Sequence, residues 1–209
     1  MEKTVFLFRR KAARTRPDFA RYYIQNHAPL GRRLTRCLLG YAVNIVESEG
    51  GPDAVTEHWV PRALDLLTPD VAYATPEDFN EVLVDDRTLF DSFELYVVVE
   101  ETQTVPGEPL DSPLGEPTPE TKLIWMYTDA KTAPPPPTGA RRVVDNRVGH
   151  KLVMQDGAWK AVAPEFELIR MAWGTGLDPN AGTPTALVVR EHRFIPAPVW
   201  PAPVWRSST

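Results

Sequence analysis

The chain has 209 residues, 43% of them hydrophobic, which is one large domain or two small ones with an ordinary core. Its single cysteine excludes an internal disulfide framework and any multi-cysteine metal site, and no window approaches the ~18 continuous apolar residues that span a bilayer. The net charge of −5 is unevenly spread: residues 1–36 hold ten Lys or Arg against two acids, residues 37–104 two against fifteen, and residues 105–209 eleven of each.

In chain order, residues 4–9 are apolar throughout, as a strand buried on both faces would be. Thr15-Arg16-Pro17-Asp18 reads as a helix start: Thr15 caps, Pro17 suits the first turn, and Asp18 sits at the capping-box position. Pro29 biases Ala28 away from α geometry, so this helix is expected to stop or kink near His27. Residues 40–46 and 53–60 are the second and third strands, joined by the turn Glu49-Gly50-Gly51-Pro52. A second helical region follows, best over 77–89 and broken at Thr75-Pro76, and residues 95–104 are the fourth strand.

Five prolines fall within residues 105–120, an extended linker by composition. Beyond it, residues 122–127, 140–148, 166–173 and 186–194 match the four strands of the first half. The helices have no counterpart: four prolines occupy residues 134–137, and 174–184 is rich in Gly and Pro. Residues 151–160 form an extra hairpin around Asp156-Gly157. The second half therefore reads either as a helix-less copy of the first or as an unrelated all-β addition. The repeated pentads 196–200 and 201–205 favour polyproline II.

The N-terminal strand with its basic end, Thr15-Arg16-Pro17-Asp18-Phe19, the His-x-Pro of His27-Ala28-Pro29, Glu57-His58-Trp59, Asp85-Asp86-Arg87 and Tyr96 to Glu100 together resemble the EthD-like branch of the dimeric α/β-barrel superfamily. The resemblance implies an α+β fold. Residues 1–105 would form a ferredoxin-like β-α-β-β-α-β unit, followed by the linker 106–120, a mostly β unit over 121–195 packed against the first, and a Pro/Trp tail over 196–209. The two sheets would close a barrel-like body within one chain or between chains.

The resemblance bears on reaction less than on fold, because one fold hosts many chemistries. It favours a cofactor-independent enzyme of small-molecule metabolism, doing proton transfer as a lyase (dehydratase or cyclase) or isomerase. The substrate would be small, apolar and oxygenated, aromatic or polyketide-like. A non-catalytic ligand-binding or accessory protein and a cofactor-free monooxygenase remain alternatives.

His27 lies at a helix end, where an imidazole can move a proton or, equally, pair with the helix terminus. Alternation along 53–60 puts Glu57 and Trp59 on one face and His58 on the other. In EthD-like sequences the matching stretch usually reads Glu-aliphatic-Trp, so His58 departs from the resemblance and is either this chain's own chemistry or a hydrogen-bonded wall. Glu57 matches that pattern and reads as a buried carboxylate with a raised pKa; Asp86 is a turn anchor or a base; Tyr96 can donate to an oxyanion. Phe6, Phe8, Phe19, Tyr22, Tyr23, Trp59, Phe90 and Phe93 are core or ligand wall.

No phosphate loop, dinucleotide fingerprint or nucleophile elbow is present, and the four histidines lack metal-ligand spacing. No cofactor or metal is expected. The short basic block without aromatic ladders argues against nucleic acid. No signal-peptide pattern follows Lys3, so the expected location is cytoplasmic, with no membrane partner. An uncovered face on the helix-less half would make a homodimer the expected assembly, with Trp200 and Trp205 near its interface.

Overall fold

The computed structural model describes residues 1–180 and 184–198. The strands are β1 (Glu2–Arg10), β2 (Gly40–Val46), β3 (Ala54–Val60), β4 (Phe90–Val105), β5 (Thr121–Tyr127), β6 (Arg142–Gln155), β7 (Ala158–Val162), β8 (Leu168–Gly174) and β9 (Leu187–Ile195). They pair in the order β4-β1-β3-β2-β9-β5-β8-β6-β7, and β4 also pairs with β6. Eight strands thus close an antiparallel barrel, with β7 outside the ring.

This corrects the α+β expectation. The chain is mostly β with few helices, and no separate ferredoxin-like unit stands beside a second unit. The reason lies at the edges. A free four-stranded sheet has two open rows of backbone groups. Here β2 pairs directly with β9, and β4 with β6 over residues 95–105, so the halves share one continuous hydrogen-bonded wall rather than two packed faces.

The two halves share a strand order, β4-β1-β3-β2 and β9-β5-β8-β6, and a register. Lys3 lies opposite Trp59 and Val98; Lys122 lies opposite Trp173 and Val189. Each ammonium sits over its tryptophan, at 4.6 Å and 4.4 Å from the ring centroid. Asn44 Nδ2 donates to Val55 O at 2.8 Å, and Asn146 Nδ2 to Ile169 O at 2.9 Å.

Inward-facing Val5, Leu7, Val55, Tyr96, Ile124, Ile169 and Met171 fill the barrel as an apolar plug. Beyond it sits a buried charged layer. Glu57 accepts from Lys3 at 2.8 Å and from Lys122, and Lys122 also reaches Glu191 at 3.0 Å. Burial alone would raise the Glu57 carboxyl, but the two lysines outweigh it and hold it well below the usual carboxylate range. Basic and acidic sequence blocks meet in other pairs too: Arg16–Asp53 and Arg33–Glu81.

The helices lie outside the β1–β3 wall. Thr15 caps α1 (Arg16–Tyr22) as expected, accepting from Asp18 N. The chain does not stop at His27. It passes through a π turn (Tyr23–His27) into α2 (Ala28–Leu34), with the Ala28 N–H reaching back to Tyr23 O. Pro29 has no N–H, so the first turn of α2 is where it is tolerated, and the wider π turn absorbs the mismatch. A short α3 (Pro69–Ala72) precedes α4 (Pro76–Leu89), which Thr75 caps in a reciprocal box with Asp78. Cys37 is buried beside Val60 and Ala72, as a small core residue. Among the described residues no helix is long and apolar enough to cross a membrane.

On the other side, loops replace helices. Trp125, Tyr127, Val143, Leu168 and Ala172 on the outer wall are covered by Ala130, Ala133, Ala140, Leu177 and Ala186. Trp125 is 1% exposed, so the expected open face is closed by the chain itself. Trp200 and Trp205 lie outside the described residues. The linker runs along β9 instead of standing free: Gly115 N donates to Arg193 O, and Thr118 N to Glu191 O. The extra hairpin is β6–β7, turning at Asp156 (φ 53°) and Gly157 (φ 76°).

Candidate functional site

A cavity of about 480 Å³ opens between the helices and the outer face of β1–β3. Strand alternation builds one wall. Phe6 and Phe8 face outward from β1, Tyr41 from β2 and His58 from β3, while their neighbours Leu7, Ala42 and Glu57 face the barrel. Tyr41 and His58 are direct cross-strand partners. Phe90 and Phe93 of β4 close one side, and Leu66, Leu67, Tyr73 and Val82 the other. Phe6 and Phe8 stack at 5.4 Å, and Phe8 on Phe90 at 4.1 Å, giving a flat aromatic floor.

The polar end of the cavity comes from the π turn and α4. His27 Nδ1 lies 2.7 Å from Asp85 Oδ2, and its Nε2 lies 3.7 Å from Asp86 Oδ1. Tyr22 donates its hydroxyl to the other Asp85 oxygen at 2.5 Å. Burial alone would raise the Asp85 carboxyl, but the His27 and Tyr22 hydrogen bonds outweigh it and hold it below the usual range. Asp85 therefore stays ionised and accepts the Nδ1–H, so that in the imidazole form of His27 the lone pair falls on Nε2.

Asp86 is the opposite case. Burial pushes its carboxyl up to about 6; His27 pulls it down and the Asp85 charge pushes it further up. Its side chain is 43% exposed, but it also lines the cavity, and an apolar cavity solvates a charge poorly. Two adjacent carboxylates thus have their pKa values driven apart, which is how an acid and a base come to share one site.

Of the residues singled out from sequence, His27, His58, Asp86, Phe6, Phe8, Phe90 and Phe93 all line this cavity. Phe19 and Tyr23 sit behind it as core, Tyr23 bonded to Thr56 at 2.8 Å. Tyr22 acts from outside through Asp85. Glu57, Trp59 and Tyr96 are elsewhere: Glu57 and Trp59 belong to the charged layer, and Tyr96 donates to Glu165 inside the barrel end. Since Glu57 and His58 occupy opposite faces of β3, they cannot share an ion. Among the described residues no cluster of three or more His, Cys, Asp or Glu is placed to hold a metal.

Sequence reasoning missed Asp85, Tyr41 and Tyr73. Asp85 stood in the quoted Asp-Asp-Arg motif, and Tyr41 follows from β2 alternation once its partner is His58.

A solved structure of an anthrone oxidase-like protein matches 92% of this chain and 93% of that chain, with a TM-score of 0.54 and 11% identity. At that identity the likeness is one of fold. No family model matches, the EthD-like branch included. No curated protein matches either.

Proposed function

We propose that the chain is a cofactor-independent enzyme of small-molecule metabolism that takes a proton from a carbon acid, an apolar aromatic or polyketide-like ketone. The observation that carries this reading is the Asp85–His27–Asp86 arrangement at the rim of an apolar cavity. His27 Nε2 takes the C–H proton, and the C–H electron pair moves onto the carbonyl oxygen as an enolate. The ionised Asp85 stabilises the imidazolium so formed. In a dehydration the enolate then expels a β-hydroxyl, which takes its proton from Asp86 and leaves as water. Positioned groups of this kind are worth a rate factor of about 10² to 10⁴.

A cofactor-free oxygenase is the second reading, favoured by the anthrone oxidase-like neighbour. An anthrone carries a methylene acidified by its ring ketone, so both readings begin with the same proton removal. In the accessory alternative the cavity binds its ligand without that step.

Deuterium exchange into anthrone in D₂O, followed by proton NMR, tests the shared step without knowledge of the product. Wild type should accelerate exchange, and His27→Ala should lose about 10² of that acceleration. No acceleration by wild type across a panel of ring ketones would leave only the accessory reading. Oxygen consumption separates the oxygenase from the lyase.

A further inference from the structure

His58 faces the same cavity as His27 but has no carboxylate partner. One ring face stacks on Tyr41 at 4.9 Å and 14°, and Phe6 meets it at 5.1 Å and 79°. Nδ1 is buried with no hydrogen-bond partner. Nε2 makes no hydrogen bond among the described residues and is not among the buried unpartnered atoms, so it is the polar edge left for a ligand. Burial, with a smaller push from His27, brings the ring down to about 3, so it is neutral at working pH.

A neutral imidazole carries one proton. On Nδ1 that proton would be a buried N–H without an acceptor, a rarer and costlier defect than an unused lone pair. The proton therefore belongs on Nε2. We propose that His58 is a neutral hydrogen-bond donor whose Nε2–H reads a carbonyl oxygen of the cavity ligand, so that the ligand class is ring ketones rather than the parent hydrocarbons. The inference adds oxygen recognition to the proton-transfer reading and rests on it for the reaction alone. In that reaction the same donor strengthens as the oxygen becomes an enolate.

Two measurements on the full chain test it. In ¹⁵N-edited NMR at pH 6, His58 should be neutral with Nε2 protonated; a cationic ring or an Nδ1-protonated tautomer overturns the proposal. In binding titrations, wild type should prefer anthrone over 9,10-dihydroanthracene, the same skeleton without the oxygen, by about tenfold. His58→Phe should bind both alike, and His58→Gln, which keeps a donor, should recover part of the preference. His27→Ala should keep the preference while losing proton exchange, which separates this proposal from the proton-transfer reading. Equal binding by wild type, an undiminished preference in His58→Phe, or no binding of either compound overturns it. Exchange on a smaller ketone would then still stand for the reaction.

Discussion

His27 reaches Asp85 with one ring nitrogen at 2.7 Å and faces Asp86 with the other at 3.7 Å. The imidazole is held from behind by Asp85 and presents its other nitrogen to the cavity. Asp85→Asn keeps the size of that anchor but removes the charge and lets the ring take the other tautomer. It should lower kcat by about 10² with little change in KM, while Tyr22→Phe costs less. Steady-state kinetics on any ketone that exchanges would show whether the order is His27→Ala, then Asp85→Asn, then Tyr22→Phe; equal activity of Asp85→Asn and wild type would contradict the orienting role.

Asp86 gives a pH signature of known sign. Its ordinary value is 3.8 and its folded value about 6. Below the lower value both folded and unfolded chains are protonated. Between the two the folded state binds more protons, so its stability falls as pH rises and the penalty is complete above 6. Asp86→Asn should therefore raise Tm relative to wild type at pH 7–8, with the gain fading toward pH 4. A dehydration rate should fall as pH rises through about 6 in wild type, and the Asn variant should lack that limb.

Glu57 is a structural charge. Glu57→Ala removes the carboxylate that Lys3 and Lys122 share, leaving Lys3 with Glu101 and Lys122 with Glu191, and should cost about 3 kcal/mol in urea unfolding, the lower end for a broken buried pair. Because its carboxyl is held below the ordinary range, its contribution is present above the unfolded value near 4.5 and lost as pH falls. Acid unfolding should accordingly begin at higher pH in variants that weaken this layer, such as Lys122→Met.

Pro29→Ala restores a backbone donor in the first turn of α2. The π turn can then relax toward α, which rotates His27 away from the Asp85–Asp86 pair. Thermal stability should hold or rise while exchange activity falls about tenfold or more, at the low end of an acid–base contribution. Unchanged activity would mean that the π geometry is independent of the proline.

Much of this was legible in local sequence. The Thr15 cap, the break at Thr75-Pro76, the Asp156-Gly157 turn and the opposite faces of Glu57 and His58 follow from rules that act over a few residues. A barrel-like body was expected only through the resemblance; the β2–β9 and β4–β6 pairings that close it were not legible, because they join residues far apart in the chain and no local pattern encodes them. Asp85 was passed over for Asp86 because two adjacent carboxylates look alike until the π turn decides which one the imidazole Nδ1 meets.

The shared register of the two halves also fixes what each outer wall can do. Counting from Lys3 and Lys122, Phe6 corresponds to Trp125; counting from Trp59 and Trp173, His58 corresponds to Ala172. One wall keeps a hollow and an imidazole, while the other fills the equivalent space with indole and a methyl group. A barrel made of two identical chains must carry every feature twice, so neither wall can give up chemistry for packing. Written into one chain, the walls are free to divide the labour, and substitutions on β1 and β3 should register in turnover where the matching ones on β5 and β8 register in melting.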